Sequence, residues 1–137
     1  MSFENIKQQI ESINFTGSIT IRSNEFIKEP ISTAKNLIDL IESNKDNKGY
    51  EPYYNTLILI LKEVKMSNKK IKIIEALKSR GFTGNDVEFD LFYWANDGWY
   101  LHCDQVQHVC IGYNYNHVLE STLKGENDQY LNTSINY

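Results

Sequence analysis

The chain has 137 residues, with 14 Lys and Arg, 18 Asp and Glu, and a formal net charge of -4. This length suits one domain with an adequate core, so we expect a single domain over residues 1–137. No apolar run approaches the roughly 18 residues of a membrane span, and the N-terminus has no secretory pattern. We therefore expect a cytoplasmic protein that does not bind membranes. Two cysteines are too few for a disulfide framework.

Charge is distributed unevenly along the chain. Residues 1–80 contain 13 of the 14 basic residues, whereas residues 81–123 contain six acidic residues and no Lys or Arg. The acidic segment also contains more than half of the aromatic residues. Phosphate binding requires clustered Lys and Arg, so we expect no direct nucleic-acid binding by this segment. A basic protein is a better partner for it.

In the first part of the chain, the pattern predicts two helices and a strand. Apolar residues at helical spacing indicate a helix over residues 3–13, capped by Ser2. Alternation in FTGSITIRS predicts a strand near Ile19. Pro30 suits a first helical turn, and the apolar stripe after it predicts a helix that ends near Ser43.

The middle of the chain predicts a helical hairpin. Residues 51–65 are ambiguous, because five consecutive branched aliphatic residues also suit a buried strand. Pro52 near the start and an apolar stripe at helical spacing favour a helix. A second helix is predicted from a cap at Ser67 to a left-handed cap at Gly81. A short turn before Ser67 would join the two helices.

From residue 86 the pattern changes to a period of two, which is typical of strands. An NDG turn at 96–98 is predicted to join two aromatic-rich strands. A further strand is predicted within 108–115 and a short helix from 117, followed by a loosely ordered tail from about 126. The predicted fold class is α+β, with about four helices packed on one face of a small, mostly antiparallel sheet.

Residue types that bind zinc occur together in the predicted sheet. However, neighbours on a strand, such as His102 and Cys103, point to opposite faces, and the usual C-x2-C spacing is missing. We therefore expect core cysteines and surface histidines, with no metal and no cofactor. The residues of this cluster are His102, Cys103, His108 and Cys110.

The same region contains residue types that serve in acid–base catalysis. His102 or His108 would be the base, with Asp104 or Glu88 orienting it. No nucleophile-elbow glycine pattern and no nearby serine accompany them, so we expect no enzyme. The alternative function is a small hydrolase or isomerase with a pocket on the sheet around His102, Tyr100 and Asp90.

The stretch DVEFDLFYWANDGWYLHCD, residues 86–104, concentrates aromatic rings and carboxylates. One interpretation assigns its apolar side chains to the core of the sheet: Phe89, Leu91, Trp94, Trp99 and Leu101. A second interpretation is a protein-binding surface, because rigid rings supply contact area and acids steer a cationic partner. The predicted partner-binding residues are Glu88, Asp90, Tyr93, Asp97, Trp99, Tyr100 and Asp104.

With this stretch and this division of charge, the small, acidic, Asn-, Lys- and Ile-rich chain resembles the immunity proteins of bacterial polymorphic toxin systems, including contact-dependent growth inhibition. The resemblance is one of type and covers the whole chain. It implies a protein that binds and blocks one cognate toxin, often a nuclease with a basic cleft. Lys and Arg of the toxin would then pair with the four acids Glu88, Asp90, Asp97 and Asp104. Its cleft would be filled by Trp99, Tyr100 and Tyr93. A regulatory or phage-encoded binding module has the same sequence features.

Overall fold

The computed structural model describes most of the chain, namely residues 2–44, 48–85, 88–94 and 97–132. Two compact units are present, Met1–Asn68 and Lys69–Tyr137, and the boundary between them falls inside one long helix. The predicted α+β class is confirmed, although the strands form two small antiparallel sheets instead of one. Among the described residues, no helix combines the length and the apolar composition that crossing a bilayer requires.

The chain contains helices and short strands in a mixed order. The elements are α1 (Phe3–Ser12), β1 (Ile19–Ile21), β2 (Glu25–Ile27), α2 (Pro30–Ser43), α3 (Glu51–Ser79), β3 (Asp90–Trp94), β4 (Gly98–His102), β5 (Val109–Gly112) and α4 (Tyr115–Leu123). Short 3-10 helices cover Lys48–Tyr50 and Asp128–Asn132. Strand β2, which pairs with β1, was not predicted from the sequence. The NDG turn predicted at 96–98 lies partly outside the described residues.

The first unit contains α1, the β1–β2 hairpin, α2 and the first part of α3. Ser2 caps α1 as predicted, since its hydroxyl accepts a hydrogen bond from the backbone N–H of Asn5 at 3.2 Å. Lys7 pairs with Glu42 of α2 at 2.8 Å, and the hydrogen bond to that carboxylate raises the pKa of Lys7. The core of this unit is aliphatic: Ile6, Ile10, Ile19, Ile21, Ala34, Ile38, Ile41, Leu57, Ile60, Leu61 and Val64.

The predicted helical hairpin is wrong, because residues 51–79 form the single continuous helix α3. Met66, Ser67 and Asn68 include neither Gly nor Pro, so nothing in the backbone ends the helix there. The side-chain amide of Asn68 instead donates to the carbonyl of Asn14 at 3.1 Å. The buried positions in the second part of α3 are out of phase with those in the first, so the two parts do not share one apolar stripe.

The second unit contains the end of α3, the sheet β3–β4–β5 and α4. Helix α3 ends in the predicted left-handed cap, where Gly81 has φ 111°. The N–H groups of Phe82 and Gly81 donate to the carbonyls of Leu77 and Lys78 at 3.2 and 3.1 Å. This cap turns the chain towards the sheet. The buried apolar residues of the unit are Ile73, Ala76, Leu77, Phe82, Phe89, Leu91, Trp99, Leu101, Cys103, Val106, Ile111 and Val118.

The segment after α4, the start of the predicted loose tail, makes side-chain contacts with the rest of the second unit. Asn127 is buried, and its side-chain amide donates to the hydroxyl of Thr122 at 3.0 Å. Arg80 forms an ion pair with Asp128, the first residue of the 3-10 helix. Residues 133–137 of the expected tail lie outside the described residues.

We expect Asp128→Asn to lower thermal stability at neutral pH and to have little effect in acid. The hydrogen bond from Arg80 lowers the pKa of Asp128, so folding favours the ionised carboxylate. Its contribution is fully present above the ordinary Asp pKa of about 4 and is lost as the pH falls through the lower folded value. Melting curves of both proteins between about pH 7 and pH 2 measure this effect. A difference in Tm that stays constant with pH would contradict it.

Candidate protein-binding surface

Strand register divides the three-stranded sheet into two faces. Leu91 pairs with Leu101 and Tyr93 with Trp99, and the partners in each pair project from the same face. Leu91, Trp99 and Leu101 are 2%, 1% and 0% exposed. This side is therefore the core side of the sheet, here called the inner face.

The opposite side, the outer face, is covered by rings. Asp90 pairs with His102, and Phe92 pairs with Tyr100, so their side chains share this face. Successive ring centroids are 5.0, 5.9, 5.7 and 5.2 Å apart. These contacts make a continuous aromatic row in the order Trp94, Tyr100, Phe92, His108, His102.

Tyr113 extends the aromatic surface beside one end of this row. Its side chain is 73% exposed, and that of Trp94 is 51% exposed. A Cβ on Gly98 would lie 2.9 Å from Cδ1 of Tyr113 and 2.5 Å from the carbonyl oxygen of Gly112. The ring of Tyr113 therefore lies directly over Gly98, the cross-strand partner of Trp94. Only glycine permits so close an approach.

Two carboxylates lie at opposite ends of the aromatic row. Asp90 stands opposite His102 at one end, and Asp97 lies in the turn after Trp94 at the other. Both residues are exposed, and the N–H of Asp97 donates to the carbonyl of Trp94 at 2.9 Å. Burial raises the pKa of Tyr100, and the nearby Cys110 and Asp97 raise it further. The phenol therefore stays neutral at physiological pH.

The acidic residues predicted to meet a partner are not neutralised by basic residues of the described chain. Across the described ranges, the carboxylates that form ion pairs with Lys or Arg are others: Glu25, Glu42, Glu120 and Asp128. The predicted acids all lie at exposed positions. They are Glu88, Asp90, Asp97 and Asp104.

The structure places only two of these acids at the aromatic row. Glu88 lies in a turn before β3, where its N–H donates to the side chain of Asn85 at 2.8 Å. Asp104 follows β4 and accepts a hydrogen bond from the hydroxyl of Thr83 at 3.0 Å. Both carboxylates are exposed, but neither belongs to a strand pair of the outer face. Asp90 and Asp97 are therefore the two predicted acids that lie at the aromatic row.

The structure corrects the placement of three aromatic residues. Trp99, predicted to fill a toxin cleft, is buried on the inner face with its ring 4.9 Å from that of Tyr93. Tyr93 is half-buried on the same face, so neither ring belongs to the outer surface. Trp94, assigned to the core, is exposed on the outer face. Trp94 lies three positions after Leu91 in the same strand, so the alternation of side chains places the two residues on opposite faces. This alternation was already visible in the sequence.

The histidines and cysteines of the sheet do not converge. Cys103 is buried beyond the end of β4, whereas Cys110 pairs with Tyr100 on the outer face. Within the part of the chain that the structure describes, no three His, Cys, Asp or Glu side chains are placed to hold a metal ion. Nδ1 of His102 is buried without a hydrogen-bond partner, so Asp90 does not orient this ring as a general base requires.

The outer face thus combines flat, partly exposed rings with carboxylates that lack a basic partner among the described residues. Rings of this kind anchor protein interfaces, and the carboxylates attract Lys and Arg. Comparisons with known protein families, with curated proteins and with solved structures found no match. The geometry of the outer face is therefore the observation from which a function can be argued.

Proposed function

We propose that the outer face of the β3–β4–β5 sheet binds a cationic protein. The supporting observation is the aromatic row from Trp94 to His102. Asp90 and Asp97 lie at its two ends, and neither forms an ion pair with a Lys or Arg of the described residues. An aromatic centre with a charged, solvent-exposed rim is the composition of specific protein interfaces. The carboxylates would speed encounter with a basic partner through long-range attraction.

The biological role that we propose is that of an immunity protein, acting in the cytoplasm. The type resemblance to immunity proteins of polymorphic toxin systems supports this role, together with the acidic surface. A nuclease toxin has a basic cleft that binds phosphates, and carboxylates imitate phosphates in charge. In this role the protein binds and blocks its cognate toxin without catalysis, cofactor, direct nucleic-acid contact or membrane binding.

A pull-down from the native host at low ionic strength tests the proposal. The expected product is a basic protein that is released by salt and whose toxicity is suppressed when the two proteins are expressed together. Low salt is used because attraction between exposed charges more than about 10 Å apart is largely screened at 0.1 M salt. Recovery of only acidic or neutral partners would contradict the immunity role. A basic partner whose toxicity is unchanged when the two proteins are expressed together would contradict it as well.

Once the basic partner is identified, we expect the double variant Asp90→Asn/Asp97→Asn to associate with it about threefold to tenfold more slowly at low salt. Its association rate should also depend less on salt, because rim charges act mainly on encounter. Biosensor kinetics at about 20 mM and about 300 mM NaCl measure both effects. The matched control is Glu11→Gln/Glu63→Gln, which removes the same charge from exposed helix positions of the first unit. Equal losses in both double variants would point to net charge and against the outer face.

A small hydrolase or isomerase using His102, Tyr100 and Asp90 is the second candidate. Register supports it, because Asp90 and His102 are directly opposite and Tyr100 lies on the same face. The unpartnered Nδ1 of His102 weakens it. A screen of ester, phosphoester and peptide substrates with the wild type and His102→Ala separates the two functions. Turnover that His102→Ala abolishes would favour the enzyme, and none is expected under the binding function.

A further inference from the structure

One end of the outer face has the composition of a site for a guanidinium group. Trp94 and Tyr113 are strongly exposed there, and the ring of Tyr100 lies 5.0 Å from that of Trp94. Asp97 adds a carboxylate with no ion pair among the described residues. Exposed rings beside an unpaired acid offer a cation both ring faces and a counter-charge.

Gly98 is what brings these groups together. It follows Asp97 in the chain, pairs with Trp94 across the hairpin and lies under the ring of Tyr113. The three residues Trp94, Asp97 and Tyr113 therefore meet at one backbone position. Asp97 is tied to Trp94 by the 2.9 Å hydrogen bond from its N–H to the carbonyl of Trp94, which closes the turn. The Asp97 carboxylate is also near enough to Tyr100 to raise the pKa of its phenol, which places this charge beside the Trp94 end of the outer face.

We propose that an arginine of the partner protein docks at this end of the outer face, stacked on Trp94 and Tyr113 with its guanidinium paired to Asp97. The inference rests on the proposed function. The partner's arginine at this position is here called the anchor, and the residues that hold it are called the anchor site. Arginine suits the site better than lysine, because its planar group stacks on aromatic faces, is weakly hydrated and binds carboxylates through two parallel hydrogen bonds. Charge complementarity supports the occupant, since residues 81–123 contain no Lys or Arg of their own.

The two tryptophans of the chain allow a direct optical test. Trp99 is 1% exposed and Trp94 is 51% exposed, so acrylamide quenches mainly the fluorescence of Trp94. A capped hexa-arginine peptide serves as the probe at low salt. We expect the peptide to protect Trp94 from quenching, and Trp94→Phe should remove the protected signal. A capped hexalysine peptide of equal charge should protect Trp94 less.

Variants then identify the site. Tyr113→Ala and Asp97→Asn should each weaken hexa-arginine binding about twofold to fivefold, as expected for a cation–π contact or an exposed ion pair. Glu63→Gln is the matched control, because it removes one exposed carboxylate of the first unit and should leave protection unchanged. Peptide binding that leaves Trp94 open to quencher would overturn the anchor. Equal protection by hexalysine, or equal losses in the control, would overturn it as well.

The anchor and the proposed function fail in different ways. If hexa-arginine does not protect Trp94 but the host pull-down recovers a basic toxin whose binding needs Asp90 and Asp97, the anchor is wrong and the function stands. If the pull-down recovers no basic protein, the proposed function falls whatever the peptide does. Trp94→Ala in the recovered complex adds the decisive measurement. An unchanged dissociation constant for this variant would exclude the arginine anchor.

Discussion

Trp99→Ala is expected to lower the free energy of unfolding by about 3–5 kcal/mol, the usual cost of removing a large buried ring. Its side chain is 1% exposed and contacts the rings of Tyr93 and Tyr115, with centroids 4.9 and 6.3 Å away. Loss of the indole leaves a cavity in the close-packed inner face, and the surrounding side chains close such a cavity only in part. Urea titration monitored by circular dichroism measures the change as a lower midpoint.

Trp94→Ala is the matched control, because it removes the same side chain from the neighbouring strand. Trp94 is 51% exposed on the outer face, so we expect its loss to cost about 1 kcal/mol or less. Trp99→Ala should therefore report on the stability of the protein, and Trp94→Ala on binding by the outer face. If Trp94→Ala unfolded the protein as strongly as Trp99→Ala, the assignment of inner and outer faces would be wrong.

Local rules of the sequence predict the helical ends well. The Ser2 cap and Pro30 at the start of α2 are found as expected, because caps and first turns depend on residues close in the chain. The Gly81 cap follows for the same reason. The continuity of α3 was not foreseen, because Ser67 suggests a cap but does not enforce one. A weak helix former inside a long helix costs less than breaking the hydrogen-bond ladder around it.

Placement of the aromatic residues shows where the sequence was sufficient and where it was not. Within β3, Leu91 and Trp94 are out of phase, so alternation alone predicts opposite faces for them. The location of Tyr113 over Gly98 follows from the pairing of β4 with β5 across a register shift, which no local pattern reveals. The anchor site therefore depends on a tertiary contact, whereas the acidic character of the surface is visible in the composition.

Gly98→Ala is expected to destabilise the protein by at least about 1–3 kcal/mol and to disrupt the anchor site. Gly98 has φ +103°, which L-residues rarely adopt, and the added Cβ would lie 2.5 Å from the carbonyl oxygen of Gly112. Because that oxygen belongs to the backbone of β5, the strand itself must move, and Tyr113 must move with it. Thermal unfolding measures the loss of stability, and hexa-arginine protection of Trp94 measures the loss of the site.

The matched control is Gly49→Ala, because a Cβ at Gly49 meets no atom within 4 Å and its φ is not positive. That change should leave stability the same or raise it by up to about 1 kcal/mol, since alanine restricts the unfolded chain. If Gly98→Ala were equally harmless, β4 and β5 would be less closely apposed than the structure shows. The ring of Tyr113 would then lack the fixed position beside Trp94 and Asp97 on which arginine recognition depends.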